Sequence, residues 1–228
     1  ELGERITRNL SITSDEFYTA LNEFIATNKE GFNKDNILCM FIPNTYEVYY
    51  NVSADDLIER MNWEYKKFWN EERTRKADSI GLTPIEVSIL ASIVQAETVK
   101  DDEASKIAGL YINRLNRGIA LQADPTLVFA VGDFSLKRVL NEHKEVKSPY
   151  NTYKNTGLTP GPINMPRINM IDAVLNAKSH DYIYMCAKED FSGYHNFSTN
   201  LSQHLIYARN YQRALTEEQR KGRALRNQ

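Results

Sequence analysis

"LTPIEVSILASIVQAET", residues 82–98, carries a complete helix start and then an anomaly. Thr83 stands as N-cap, Pro84 takes the first helical position, and Glu86 follows three residues after the cap. The threonine hydroxyl and the glutamate carboxylate can then satisfy each other's orphan backbone N–H groups. That start fixes the register. At about 100° per residue, Leu90, Ile93 and Val94 lie within about 60° of Glu97, so the glutamate projects from the apolar face. Ser88, Ser92 and Gln95 are expected on the opposite, wet side. A carboxyl on an apolar face loses solvation, which raises its pKa and can keep it protonated near neutrality, the state a general acid requires. Glu97 also ends the helix, where a carboxylate can escape to water, so position alone leaves both readings open.

Outward from this helix the periodicity predicts a mixed α+β chain. Upstream, Thr13 and Glu16 form a second capping box for a helix over 13–29. "NILCMFIPNTYEVYYNV" (36–52) reads as two short strands around a Pro-Asn turn. Ser53 caps a long polar helix running to about residue 78. Downstream, a helix over 102–117 stops at Gly118, with Arg114 and Arg117 near its negative end. Asp124-Pro125 opens a short helix ending at Gly132. Residues 148–168, rich in Pro, Gly, Asn and Thr, form a long loop with fixed turns. A helix over 169–178, strands over 182–187 and 194–198, and a helix over 201–215 complete the pattern. The tail 217–228 reads as solvated and frayed.

With 228 residues, 42% hydrophobic and 25% charged, the chain can bury a core. A net charge of −2 gives no nucleic-acid footprint. No apolar run is long enough to span a membrane. Cys39 and Cys186, each in an apolar run, read first as buried free thiols. No CxxC or HExxH spacing appears, so no metal and no cofactor are expected.

Three downstream stretches carry candidate binding residues. In "LQADPT" (121–126) Asp124 reads more readily as an N-cap than as a catalyst, whereas Gln122 has no such structural duty. "SPYNTYKNTGLTPGPINMP" (148–166) mixes side-chain amides and tyrosines, the combination that binds sugars: aromatic faces for C–H surfaces, amides for hydroxyl and acetamido groups. In "GYHNFSTN" (193–200) a lone strand histidine, His195, reads first as a satisfied hydrogen-bond partner.

Taken in order, "LASIVQAET", "LYINRL", "LQADPT", "SPYNTY", "GLTPGPI" and "YHNFST" resemble the MltG (YceG-like) endolytic murein transglycosylases of bacteria. The match runs over about residues 38–212, and "FIPNTYEV" is similar to the family's "PDTY" segment. The resemblance implies a YceG-like catalytic region over 81–216. Strands and a helix over 36–80 would pack on it, and 1–35 would form part of a LysM-like subdomain. It implies a lyase that cuts peptidoglycan strands between N-acetylmuramic acid and N-acetylglucosamine and leaves 1,6-anhydro ends. Glu97 would be its single general acid/base. By motif match, Asn113, Gln122, Asp124, Tyr150, Asn151, Tyr153, His195, Phe197 and Asn200 fall in the glycan cleft, although Asn113 also fits a helix surface. The family pattern further implies a single-pass inner-membrane anchor outside this chain, an extracytoplasmic catalytic part, and cell-wall synthases as partners. Many members carry Glu-x-Glu-Thr where this chain has Gln95-Ala96-Glu97-Thr98. Two alternatives stay open: a hydrolase pairing Glu97 with Asp124, and a non-catalytic glycan-binding module.

Overall fold

The computed structural model describes residues 2–136 and 139–226, with 222–226 as backbone only. Helices α1 (Leu2–Thr7), α2 (Ser14–Thr27), α3 (Ala54–Phe68), α4 (Glu71–Ser79), α5 (Pro84–Glu97) and α6 (Asp101–Asn116) come first. Helix α7 (Asp124–Val131) and α8 (Ile168–Leu175) lead to an antiparallel pair, β1 (Tyr184–Ala187) and β2 (His195–Ser198). Helix α9 (Leu201–Arg226) closes the chain. Both expected capping boxes form: Thr13 with Glu16, and Thr83 with Glu86, where the Thr83 N–H donates to Glu86 Oε2 at 2.8 Å. The strands pair in the register Tyr184–Ser198 to Ala187–His195.

Helix α5 is the axis of the core. Val87, Leu90, Ala91, Ile93 and Val94 are wholly buried, and one apolar cluster joins Phe17 of α2 to Phe197 of β2. The expected wet side of α5 is not wet: Ser88 and Ser92 are buried. The segment 163–167 covers that side and supplies polar partners. Ser92 Oγ accepts from the Ile163 N–H at 3.0 Å, Asn164 Nδ2 donates to the Ser92 carbonyl at 2.7 Å, and Gln95 Oε1 accepts from the Arg167 N–H at 2.8 Å. Small hydroxyl and amide groups on a helix can therefore mark a docked loop as readily as solvent.

Three other expectations change. Residues 36–52 contain a 3₁₀ turn, Ile37–Met40, and no strand. Asx bonds from Asn33 and Asn36 curl the chain there, and Ile37, Cys39, Met40, Phe41 and Ile42 are buried without alternation. The polar helix breaks at buried Trp69, and Asn70 caps α4 through the Arg73 N–H at 3.0 Å. Helix α9 continues as helix through the tail expected to fray, up to Arg226; residues 227–228 lie outside the described residues. Among the described residues no single helix is long and apolar enough to cross a membrane.

Candidate active site

Glu97 ends α5 and faces α6. Tyr111, buried on α6, donates its hydroxyl hydrogen bond to Glu97 Oε1 at 3.0 Å. Part of the Glu97 side chain stays accessible, but its carboxyl is packed among protein atoms. Burial pushes that carboxyl up from 4.5 to about 7; the Tyr111 hydroxyl pulls it down, Asp124 raises it, and Arg114 lowers it. The group is thus poised to give up and to regain a proton near neutral pH.

Arg114 lies one turn beyond Tyr111 on the same face and is buried. Its guanidinium donates to backbone carbonyls: Nε to Ile183 at 2.6 Å, Nη1 to Ala120 at 2.9 Å and to Leu121 at 2.7 Å. One side chain thereby ties α6 to the segment before α7 and to the segment entering β1. The Tyr184 ring lies 5.5 Å from the guanidinium and stacks on His204 of α9 at 5.2 Å.

Gln122 has φ 53, a left-handed conformation that strains a side chain with a Cβ. Its N–H donates to the Thr152 carbonyl at 3.0 Å, and the Ala123 N–H donates to Thr152 Oγ1 at 3.0 Å. The turn is held rigidly, with the Gln122 side chain exposed toward the cleft. Asp124 does not cap α7: Ala123 is the N-cap residue, and Asp124 is the first helical residue. The Asp124 carboxylate instead accepts from the Tyr153 hydroxyl at 2.5 Å.

Glu97, Gln122, Asp124, Tyr153 and His195 line one cavity of about 450 Å³, with Tyr111, Arg114, Tyr184, Cys186 and His204. A second cavity of about 1040 Å³ adjoins it and shares Glu97 and Asp124. Its walls include Phe129, Phe134 and Asn164, and Tyr211 and Leu215 of α9. The carboxyl therefore stands where two open spaces meet.

Five of the motif-matched residues do other work. Asn113 Nδ2 donates to the carbonyls of His180 at 2.6 Å and Tyr182 at 3.0 Å, beside a separate cavity lined by Gly109 and His180. Asn151 is wholly buried and its amide donates to the Lys144 and Val146 carbonyls, both at 2.9 Å, which shapes the loop. The Tyr150 ring packs on Phe129 at 4.7 Å. Phe197 is buried under the Lys106 ammonium, 4.1 Å from its ring. Asn200 Oδ1 accepts from the Gln203 N–H at 2.9 Å and caps α9. Both cysteines are free; Cys39 is buried, which raises its thiol to about 12, while Cys186 is half-buried at the cavity edge.

Tyr111, Arg114 and His204 were not among the candidate site residues. Arg114 had a signal: it continues the stripe of Ile107 and Tyr111 at helical spacing, as Glu97 continues that of α5. His204 had none, because its role depends on how α9 crosses β1.

An α+β scaffold that sets a carboxyl of raised pKa between two adjoining cavities offers the groups that acid–base chemistry needs. The chain belongs to the YceG-like family, whose pattern it matches over residues 2–210. It is 34% identical over 157 residues to an endolytic murein transglycosylase of Bacillus subtilis (strain 168), covering 68% of this chain and 42% of that protein. It is 32% identical over 149 residues to an endolytic murein transglycosylase of Streptococcus pneumoniae serotype 2, covering 64% of this chain and 27% of that protein. The chain thus spans less than half the length of these relatives. A crystal structure of a yceG-like protein from Listeria monocytogenes superposes with a TM-score of 0.67 at 28% identity, over 84% of this chain and 63% of that one.

Proposed function

We propose that this chain is the catalytic part of an endolytic murein transglycosylase, with Glu97 as its acid/base. The observation that carries the reading is a carboxyl held near pKa 7 at the junction of two open cavities. An internal bond of a polymer can reach such a carboxyl only if the chain can run out on both sides. Both curated relatives described above bear this activity in their names.

Protonated Glu97 donates to the glycosidic oxygen between N-acetylmuramic acid and N-acetylglucosamine. The 2-acetamido group supports the positive centre that develops at C1. The muramyl 6-hydroxyl then attacks C1, and the carboxylate left on Glu97 receives its proton. No water enters the products. The neighbours suit both halves of this cycle: burial and Asp124 favour the protonated acid, while the Tyr111 hydroxyl and Arg114 stabilise the carboxylate that follows. Burial and the charge of Glu97 hold the Tyr111 phenol well above its ordinary pKa, so it remains a donor throughout. Gln122 and Tyr153 then bind sugar hydroxyl and acetamido groups from the groove wall.

The same reading makes residues 1–35 part of a LysM-like subdomain. It sets the site outside the cytoplasm, tethered to the inner membrane by a segment outside this chain. It also sets the enzyme beside cell-wall synthases, where cleavage ends strand growth. Family membership supports these extensions. The test is mass spectrometry of fragments from uncrosslinked peptidoglycan strands, with this chain and with Glu97→Gln. Internal fragments with anhydro ends, lost in the variant, are expected. Reducing ends from the unmodified chain would replace the reading with hydrolysis through Glu97 and Asp124.

A further inference from the structure

Helix α9 runs beside the larger of the two cavities that share Glu97, and Tyr211, Gln212, Leu215 and Gln219 belong to its wall. Gln212 also lines a further recess of about 390 Å³, together with Arg209, Arg213, Thr216, Glu217 and Arg220. The two spaces therefore adjoin at Gln212. Three arginines against one glutamate make the recess cationic, on a chain whose formal net charge is −2. All three arginines are exposed, and among the described residues none of them forms an ion pair. Arg209 Nε donates only to the Leu205 carbonyl, at 3.1 Å. One turn further on the helix does match its charges, Lys221 with Glu218 at 3.6 Å. Arg209 and Arg213 stand four residues apart, where like charges repel and weaken a helix. An anion held between them would remove that repulsion. A basic helix face is often merely solvated; this one borders the space that holds the acid. That space is walled by apolar Val128, Phe129, Ile163 and Leu215 and by the amides of Asn164 and Gln212, a mixture that suits a peptide with small side chains.

We propose that the Arg209–Arg213–Arg220 recess binds the free carboxylates of the stem peptide that muramic acid carries on its lactyl group. The inference rests on the transglycosylase reading and adds a substrate determinant to it: strands that bear stems are preferred over bare glycan. The proton transfers at Glu97 are untouched. The reach is sufficient. From Tyr211 to Arg220 the helix advances roughly 14 Å, and an extended peptide of about four residues covers roughly 13–14 Å. A stem on a muramyl residue beside Glu97 can thus cross the larger cavity and end at the arginines. Guanidinium groups suit this task because their planar donors engage a carboxylate in pairs.

The experiment measures KM and kcat on three kinds of uncrosslinked strand: with stems, with stems removed by an amidase, and with stem carboxylates converted to amides. It compares this chain with Arg213→Gln, Arg213→Lys and the triple variant Arg209→Gln/Arg213→Gln/Arg220→Gln, each checked for folding by circular dichroism. The parent should show its lowest KM on strands with free stem carboxylates. At exposed sites a single charge pair supports roughly a two- to fivefold effect. Arg213→Gln should raise KM on stemmed strands by about that factor, and the triple variant by about tenfold or more, with kcat little changed. Arg213→Lys should lose less than Arg213→Gln. On stripped or amidated strands all the variants should stay within about twofold of the parent. The preference should fade as salt is raised, since the charges are exposed. Equal KM for stemmed and stripped strands in the parent would overturn the proposal. So would equal losses on both strands in folded variants, which would assign the arginines to the glycan itself. Loss of sedimentation with anionic phospholipid vesicles in the triple variant, with no stem preference in the parent, would assign them to a lipid surface and overturn it as well. A parent yielding no anhydro ends on any strand would overturn the underlying reading, a result distinct from anhydro ends formed without regard to stems.

Discussion

Glu97→Gln should stabilise the protein above neutral pH, because the wild-type carboxyl is ionised there against its surroundings. In the folded state its pKa stands at about 7, against 4.5 for a carboxyl in solvent. The folded protein therefore binds this proton more tightly than the unfolded chain. Stability from this group is complete below about pH 4.5, declines as pH rises, and is lost once pH passes the folded value. At about 1.4 kcal/mol per unit, the full difference is worth about 3 kcal/mol. Solvent at the accessible edge of the side chain screens part of it, leaving about 2 kcal/mol. Glutamine keeps the shape and an oxygen to accept from Tyr111, but never ionises. The assay is urea unfolding of both proteins at about pH 5 and about pH 8.5. At the lower pH the two should agree within about 1 kcal/mol. At the higher pH the variant should be more stable by about 2 kcal/mol while remaining inactive. A stability gap that does not change with pH would refute the reasoning, since it would mean the carboxyl is not destabilised by its site.

Tyr111→Phe removes the donor that favours the carboxylate, so the pKa of Glu97 should rise further and the alkaline limb of the pH–rate profile should move to higher pH; kcat measured across pH 5–9 reads this. Asn113→Ala deletes two bonds to backbone carbonyls beside a separate cavity, so urea unfolding should report a loss of about 1–3 kcal/mol with kcat and KM near the parent values. Gly109→Ala reverses the usual helix preference, because a Cβ there would meet the Lys178 carbonyl at 2.3 Å; thermal melting should show a loss of about 1–3 kcal/mol. Gln122→Gly relieves a left-handed φ and should raise the melting temperature while lowering affinity for glycan strands, read by KM.

What could be read in advance followed local rules. The two capping boxes, the stop at Gly118, the register of Glu97 and the final hairpin depend on residues within a few positions of one another. The misreadings arose where a distant segment decides the environment. Ser92 and Gln95 look solvated until 163–167 arrives beside them. Asn151 and Asn113 have the amides a sugar site uses, but their own loops and the 180–182 segment take those amides first. The run around Cys39 is apolar without a period, and such a run does not announce whether it will be strand or buried turn. Within the groove, Gln122, Asp124, Tyr153 and His195 were legible as motif residues, whereas the value of Tyr111 and Arg114 lay in how α6 packs against α5.

The three carbonyls held by Arg114 bear on how the protein fails under heat. They belong to the segments that set Gln122 and lead into β1, so the groove wall and the core share one fastening. Loosening of the wall would strand a buried guanidinium without partners, which is costly enough to forbid a separate, earlier melting of the site. Inactivation and global unfolding should therefore occupy the same temperature interval, and the peptide N–H groups of the wall should exchange with solvent no sooner than those of α5.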